Sequence, residues 1–142
     1  MPAQKQWVFD PDSGGRKIPE AVKIDVRQRI ERVAEKHFKG QYIRHDIRFK
    51  GQFCYIDAYR EPPVRRGRMP KGWPETREEF MERLRNTPIH LCRLRYFSDD
   101  QWSYAFYTYS HEKYELSVYP NGKFLGKPED AFLQSAGVYL NF

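Results

Sequence analysis

Tyr42-Ile43-Arg44-His45-Asp46-Ile47-Arg48-Phe49-Lys50-Gly51-Gln52-Phe53-Cys54-Tyr55-Ile56-Asp57-Ala58-Tyr59 is the stretch whose reading decides the fold. Ile43, His45, Ile47 and Phe49 alternate with Tyr42, Arg44, Asp46 and Arg48, and a second alternating run begins at Phe53. Side chains on a strand point to opposite faces in turn, so each run is a half-buried strand. Lys50-Gly51-Gln52 is the turn between them. A two-residue turn at Lys50-Gly51 or at Gly51-Gln52 pairs odd positions with even ones, so both registers give the same two faces. One face carries Ile43, His45, Ile47, Phe49, Cys54, Ile56 and Ala58 and belongs against a core. The other carries Tyr42, Arg44, Asp46, Arg48, Phe53, Tyr55, Asp57 and Tyr59, mixing aromatic rings with charges.

Upstream of the hairpin, Trp7-Val8-Phe9 reads as a short edge strand and Asp10 to Lys17 as a turn-rich loop. Pro19 suits the first turn of a helix, where its missing N–H costs nothing. Val22, Val26, Ile30, Val33, Ala34 and His37 then recur at three- and four-residue steps, forming a core-facing stripe that places His37 within it. Gly40 ends this helix. Downstream, 61–74 is a loop with Arg65, Arg66, Arg68 and Lys71 and no acidic residue after Glu61. Thr76-Arg77-Glu78-Glu79 is a capping-box pattern opening a short helix with Phe80, Met81 and Leu84 on one side, closed by Pro88.

Strands over Ile89 to Phe97 and Gln101 to Tyr109 follow, joined at Ser98-Asp99-Asp100. Tyr114 to Tyr119 turns at Asn121-Gly122 into a short strand, Lys123-Phe124-Leu125. Pro128 starts a last helix with Phe132, Leu133, Ala136 and Leu140 apolar. Consecutive hairpins imply an antiparallel sheet with helices on one side. The expectation is one α+β domain over 1–142. It has an antiparallel sheet of four to six strands and about three helices, in the order α-β-β-α-β-β-β(-β)-α.

Charge is unevenly spread over a chain of 142 residues with a net charge of +6. Residues 1–97 carry 22 Lys and Arg against 13 Asp and Glu, whereas 98–142 carry three against six. An anionic partner suits the basic part. Ten Tyr, ten Phe and three Trp supply large flat side chains for packing or for contact. No apolar run is long enough to span a bilayer, and no secretory signal is visible at Met1 to Phe9. Cys54 and Cys92 then read as reduced thiols in a cytoplasmic protein.

The aromatic and charged sheet face is the leading candidate site. Tyr55 and Tyr59 with Arg44 and Arg48 gain Arg93 and Arg95 if Cys92, Leu94 and Tyr96 point to the core. Rings that stack bases among arginines that hold phosphates are how open sheets bind single strands. Arg65, Arg66 and Arg68 form the sharpest basic cluster. Gly14-Gly15-Arg16-Lys17 before a helix suggests an anion site, without the spacing of a phosphate-binding loop. A pocket built on Asp57, Glu61 and His111 at the end of the sheet is the alternative. His45, Cys54, His90 and Cys92 would have to converge to hold zinc. Their spacing carries no metal signature, so neither metal nor cofactor is expected.

Four stretches carry a resemblance: Val8-Phe9-Asp10-Pro11-Asp12-Ser13-Gly14-Gly15, Gly51 to Tyr59, His90 to Phe97, and Ala105 to Glu115. Together they resemble a family of bacterial proteins without an assigned activity. The resemblance spans nearly the whole chain and implies a bacterial intracellular protein, with no functional residue to carry over. The leading function is therefore a non-enzymatic binding module for nucleic acid or another anionic partner. A small enzyme or ligand-binding protein using Asp57, Glu61 and His111 is the second reading. The third is an interaction protein that forms a homodimer through the aromatic face.

Overall fold

A computed structural model describes residues 14–63 and 67–140. Helix α1 spans Glu20–Phe38, strands β1 and β2 span Arg44–Lys50 and Phe53–Tyr59, and helix α2 spans Arg77–Arg85. Strands β3, β4, β5 and β6 follow at Ile89–Ser98, Gln101–Thr108, Lys113–Ser117 and Leu125–Gly126, and helix α3 spans Pro128–Tyr139. Among the described residues the architecture is α+β, with three helices and one six-stranded antiparallel sheet. Trp7-Val8-Phe9, Arg65 and Arg66 lie outside the described residues.

The sheet runs β1-β2-β3-β4-β5 in chain order. The first hairpin pairs Lys50 with Phe53 and Arg44 with Tyr59, so its turn is Gly51-Gln52. Gly51 has φ +59, a conformation that glycine adopts without strain. The Asn121-Gly122 turn forms, with the Gly122 amide donating to the Tyr119 carbonyl, but it does not make a β5–β6 hairpin. β5 pairs 104–108 of β4, and β6 pairs Trp102 and Ser103 of the same strand. The two short strands thus share one edge of β4, and Leu125 and Gly126 satisfy backbone groups beyond the end of β5.

Helices α1 and α3 pack on one sheet face. Val26, Ile30, Ala34 and Phe38 of α1 and Ala131, Phe132 and Ala136 of α3 meet Ile47, Cys54, Ile56, Cys92, Leu94, Trp102 and Tyr104. His37 is exposed and Phe38 takes its place in the core. A step of four residues advances about 40° round the helix, so the Val26-Ile30-Ala34 row drifts toward Phe38 and away from His37. At α2 the capping box forms as read: Thr76 Oγ1 accepts from the Glu79 amide, and Glu79 accepts from the Thr76 amide. No residue of α2 is buried, so this helix lies outside the core.

Candidate functional site

The opposite face of the sheet turns away from α1 and α3. Arg44, Arg48, Tyr55 and Tyr59 meet there through the Arg44–Tyr59 and Arg48–Tyr55 pairs of the first hairpin. Phe53 and Tyr55 are paired with Arg95 and Arg93 of β3, and Tyr107 of β4 with Tyr114 of β5. The arginines lie over the rings. The Arg44 guanidinium is 3.9 Å from the Tyr59 ring centre, and that of Arg93 is 4.4 Å from Phe53 and 5.3 Å from Tyr114. Arg48 lies 5.8 Å from Tyr55. Edge-on contacts continue the layer, from Tyr55 to Tyr114 at 5.8 Å and from Tyr114 to Tyr107 at 5.1 Å. Cation–π attraction strengthens as such pairs lose water.

These arginines are not equivalent. Arg44 and Arg48 are exposed, whereas Arg95 is 2% exposed and donates to Ser103 Oγ at 3.0 Å. Arg95 is therefore part of the sheet's packing. Arg68 is exposed in its loop.

A buried carboxylate lies within this face. Asp57 is 1% exposed, its Oδ2 accepts from Arg48 Nη1 at 2.9 Å, and its Oδ1 lies 2.9 Å from His90 Nδ1. Burial works against the charge of Arg48. Hydrogen bonds from Asp57 and Asp46 outweigh it and hold the guanidinium above its ordinary pKa. With the acceptor carboxylate against Nδ1, the Nδ1 atom carries the hydrogen and a neutral imidazole keeps its lone pair on Nε2. The His90 side chain is 35% exposed. Its ring centre lies 4.8 Å from that of Tyr107 and is nearly parallel to Tyr109 at 6.4 Å. The His90 amide donates to Tyr109 Oη at 2.8 Å, so that oxygen is an acceptor while its own hydrogen points elsewhere. Burial raises the pKa of Tyr109 and of Tyr114, so both stay protonated. Tyr139 of α3 donates to the Tyr107 carbonyl and braces this end of the sheet.

His90 reaches this face through a β-bulge. Ile56 pairs with Cys92 but Asp57 pairs with His90, leaving Leu91 as the extra residue. Strict alternation puts His90 on the same side as Cys92, whereas the inserted residue turns it over to meet Asp57. The sequence reading assigned His90 no role here, because a bulge leaves no reliable mark in a run such as Ile-His-Leu-Cys. The two cysteines are free and buried on the other face. Burial pushes Cys92 up to about 12. His45 also lies on that side, 5.2 Å from the Phe132 ring. Among the described residues no three His, Cys, Asp or Glu side chains gather to hold a metal.

Asp57, Glu61 and His111 each have a different partner. Asp57 is held by Arg48 and His90. Glu61 is exposed and bonded to Arg85, which lowers its pKa. The His111 Nδ1 atom lies 2.6 Å from Glu115. In the Gly14 to Ile18 segment, the Arg16 amide donates to the Tyr96 carbonyl of β3 and the Ile18 amide to that of Gly51 in the hairpin turn. A groove of about 710 Å³ runs from Tyr107 and Tyr114 to the β5 edge, lined also by Arg93 and Lys113 and by Glu112 and Glu115.

No protein-family model matches the chain, and no curated protein or solved structure is significantly similar to it.

Proposed function

We propose that this chain binds single-stranded nucleic acid on the sheet face that turns away from α1 and α3. The observation that carries the reading is the layer of guanidinium groups over rings, led by Arg44 at 3.9 Å from Tyr59 and Arg93 at 4.4 Å from Phe53. Bases stack on aromatic rings and on arginine planes alike, so an arginine-capped ring is a flat cationic platform. A single strand exposes its base faces, as a duplex does not, and its phosphates favour a chain of net charge +6. Arg68, exposed in its loop, is a further cation available to phosphate.

Fluorescence anisotropy with labelled single strands of about twelve nucleotides at low salt tests the reading. Arg44→Ala and Tyr59→Ala should each weaken binding about five- to a hundred-fold, since stacking contributes about 1–3 kcal/mol per base. A wild-type dissociation constant weaker than about 0.1 mM, the weak end of non-specific binding, overturns it.

A further inference from the structure

We propose that Asp57, His90 and Tyr109 form a metal-independent centre that cleaves single-stranded RNA by transesterification at its 2′-hydroxyl. The inference rests on the nucleic-acid reading above and goes beyond it, from binding to chemistry. Three observations carry it. First, a buried carboxylate fixes one nitrogen of a partly exposed imidazole, which is how a general base is oriented. Second, among the described residues His90 has no Ser, Thr or Cys hydrogen-bonding partner. Ser103 is bonded to Arg95, and both cysteines are buried on the opposite face. The hydroxyl that such a base activates is then the substrate's own, and RNA carries one beside every phosphate. Third, the Tyr109 hydroxyl is tied by its oxygen to the His90 amide, which leaves its proton to give, and Tyr109 is 49% exposed.

The step balances without a further reactant. Nε2 of His90 takes the 2′-hydroxyl proton as the 2′-oxygen bonds to phosphorus. The P–O5′ bond breaks, and the leaving 5′-oxygen takes the Tyr109 proton. The products are a 2′,3′-cyclic phosphate and a free 5′-hydroxyl, and solvent returns both side chains to their starting protonation states. Asp57 is a positioning residue, held in turn by Arg48. Arg93, which lines the adjoining groove together with Glu112, Lys113 and Glu115, offsets phosphate charge.

The experiment incubates the full chain with a labelled single-stranded RNA and with DNA of the same sequence, in excess chelator. Product ends are read by mass spectrometry, and DNA binding by anisotropy. The expected result is RNA cut to cyclic-phosphate ends and DNA bound but intact. His90→Gln, purified in the same way, should cut RNA about a hundred-fold or more slowly while still binding DNA. Tyr109→Phe keeps the ring and should slow cleavage at least about ten-fold. Asp57→Asn should change the pH profile of cleavage, which a merely structural role would leave unmoved. Binding without cleavage overturns the catalytic inference and leaves the binding reading standing. Absence of both overturns both. Cleavage of DNA, cleavage in chelator with no cyclic ends, or His90→Gln at wild-type rate each overturns the assignment.

Discussion

His45 shows how one residue couples this fold to pH. Burial pushes its imidazole down to about 4, and its Nε2 has no hydrogen-bond partner among the described residues. An unfolded chain takes up the proton near pH 6.5. Between about pH 6.5 and 4 the unfolded state therefore binds the proton that the folded state refuses, and stability falls as pH falls across that window. His45→Leu should flatten that part of the curve, seen by urea denaturation of both proteins at several pH values. The cysteines make a second residue-scale test. Cys54 and Cys92 are fully enclosed and burial raises both thiols, so neither should react with a disulfide reagent before unfolding. Rapid labelling of native protein would contradict this. At this scale the sequence was legible wherever periodicity spoke, as at Val26, Ile30 and Ala34. It misassigned His37, because a stripe does not show which way its last turn drifts.

Among the elements, β3 governs the candidate site. Alternation alone assigned Arg93 and Arg95 to the right face, since both lie beyond the irregularity. It could not bring His90 to Asp57, because that meeting depends on one unpaired residue, Leu91. The Asn121-Gly122 turn was legible, but the pairing of β6 was not, since a turn signal does not name the strand that receives the returning chain. The segment before α1 is anchored more tightly than its glycines suggest. Gly15 has φ +86, and a Cβ added there would lie 2.8 Å from the Tyr96 carbonyl oxygen. Gly15→Ala should destabilise the fold by more than about 1 kcal/mol, through strain and through loss of that close approach. Phe132→Ala, which empties the contact between α3 and both Phe38 and His45, should cost about 3–5 kcal/mol. Urea melts measure both.

The whole molecule is a sheet with two unlike faces. One is closed by α1 and α3, and the other carries arginines over rings with a carboxylate–imidazole pair among them. The hairpin made that division legible from Arg44 to Tyr59, because its two faces survive either turn register, but not before it: Tyr42 packs against the core and Ile43 is 46% exposed, since neither residue is paired in the β1 ladder. How the arginines divide their work was not legible, since Arg95 is buried against Ser103 of β4 and the segment at Gly15, whereas Arg44 lies on the edge strand β1. Helix α1 offers a competing basic surface in Arg27, Arg32 and Lys36, all exposed. Binding through the sheet should weaken with salt, with a slope of about −2 to −3.5 for three to five phosphate contacts. Salt dependence alone does not tell the two surfaces apart. Photo-crosslinking of a halouracil-bearing single strand, with the attached peptides mapped by mass spectrometry, does so directly. The expected crosslinks fall on Tyr55, Tyr59, Tyr107 and Tyr114, whereas crosslinks confined to α1, or none above background, would contradict the assignment of the sheet face.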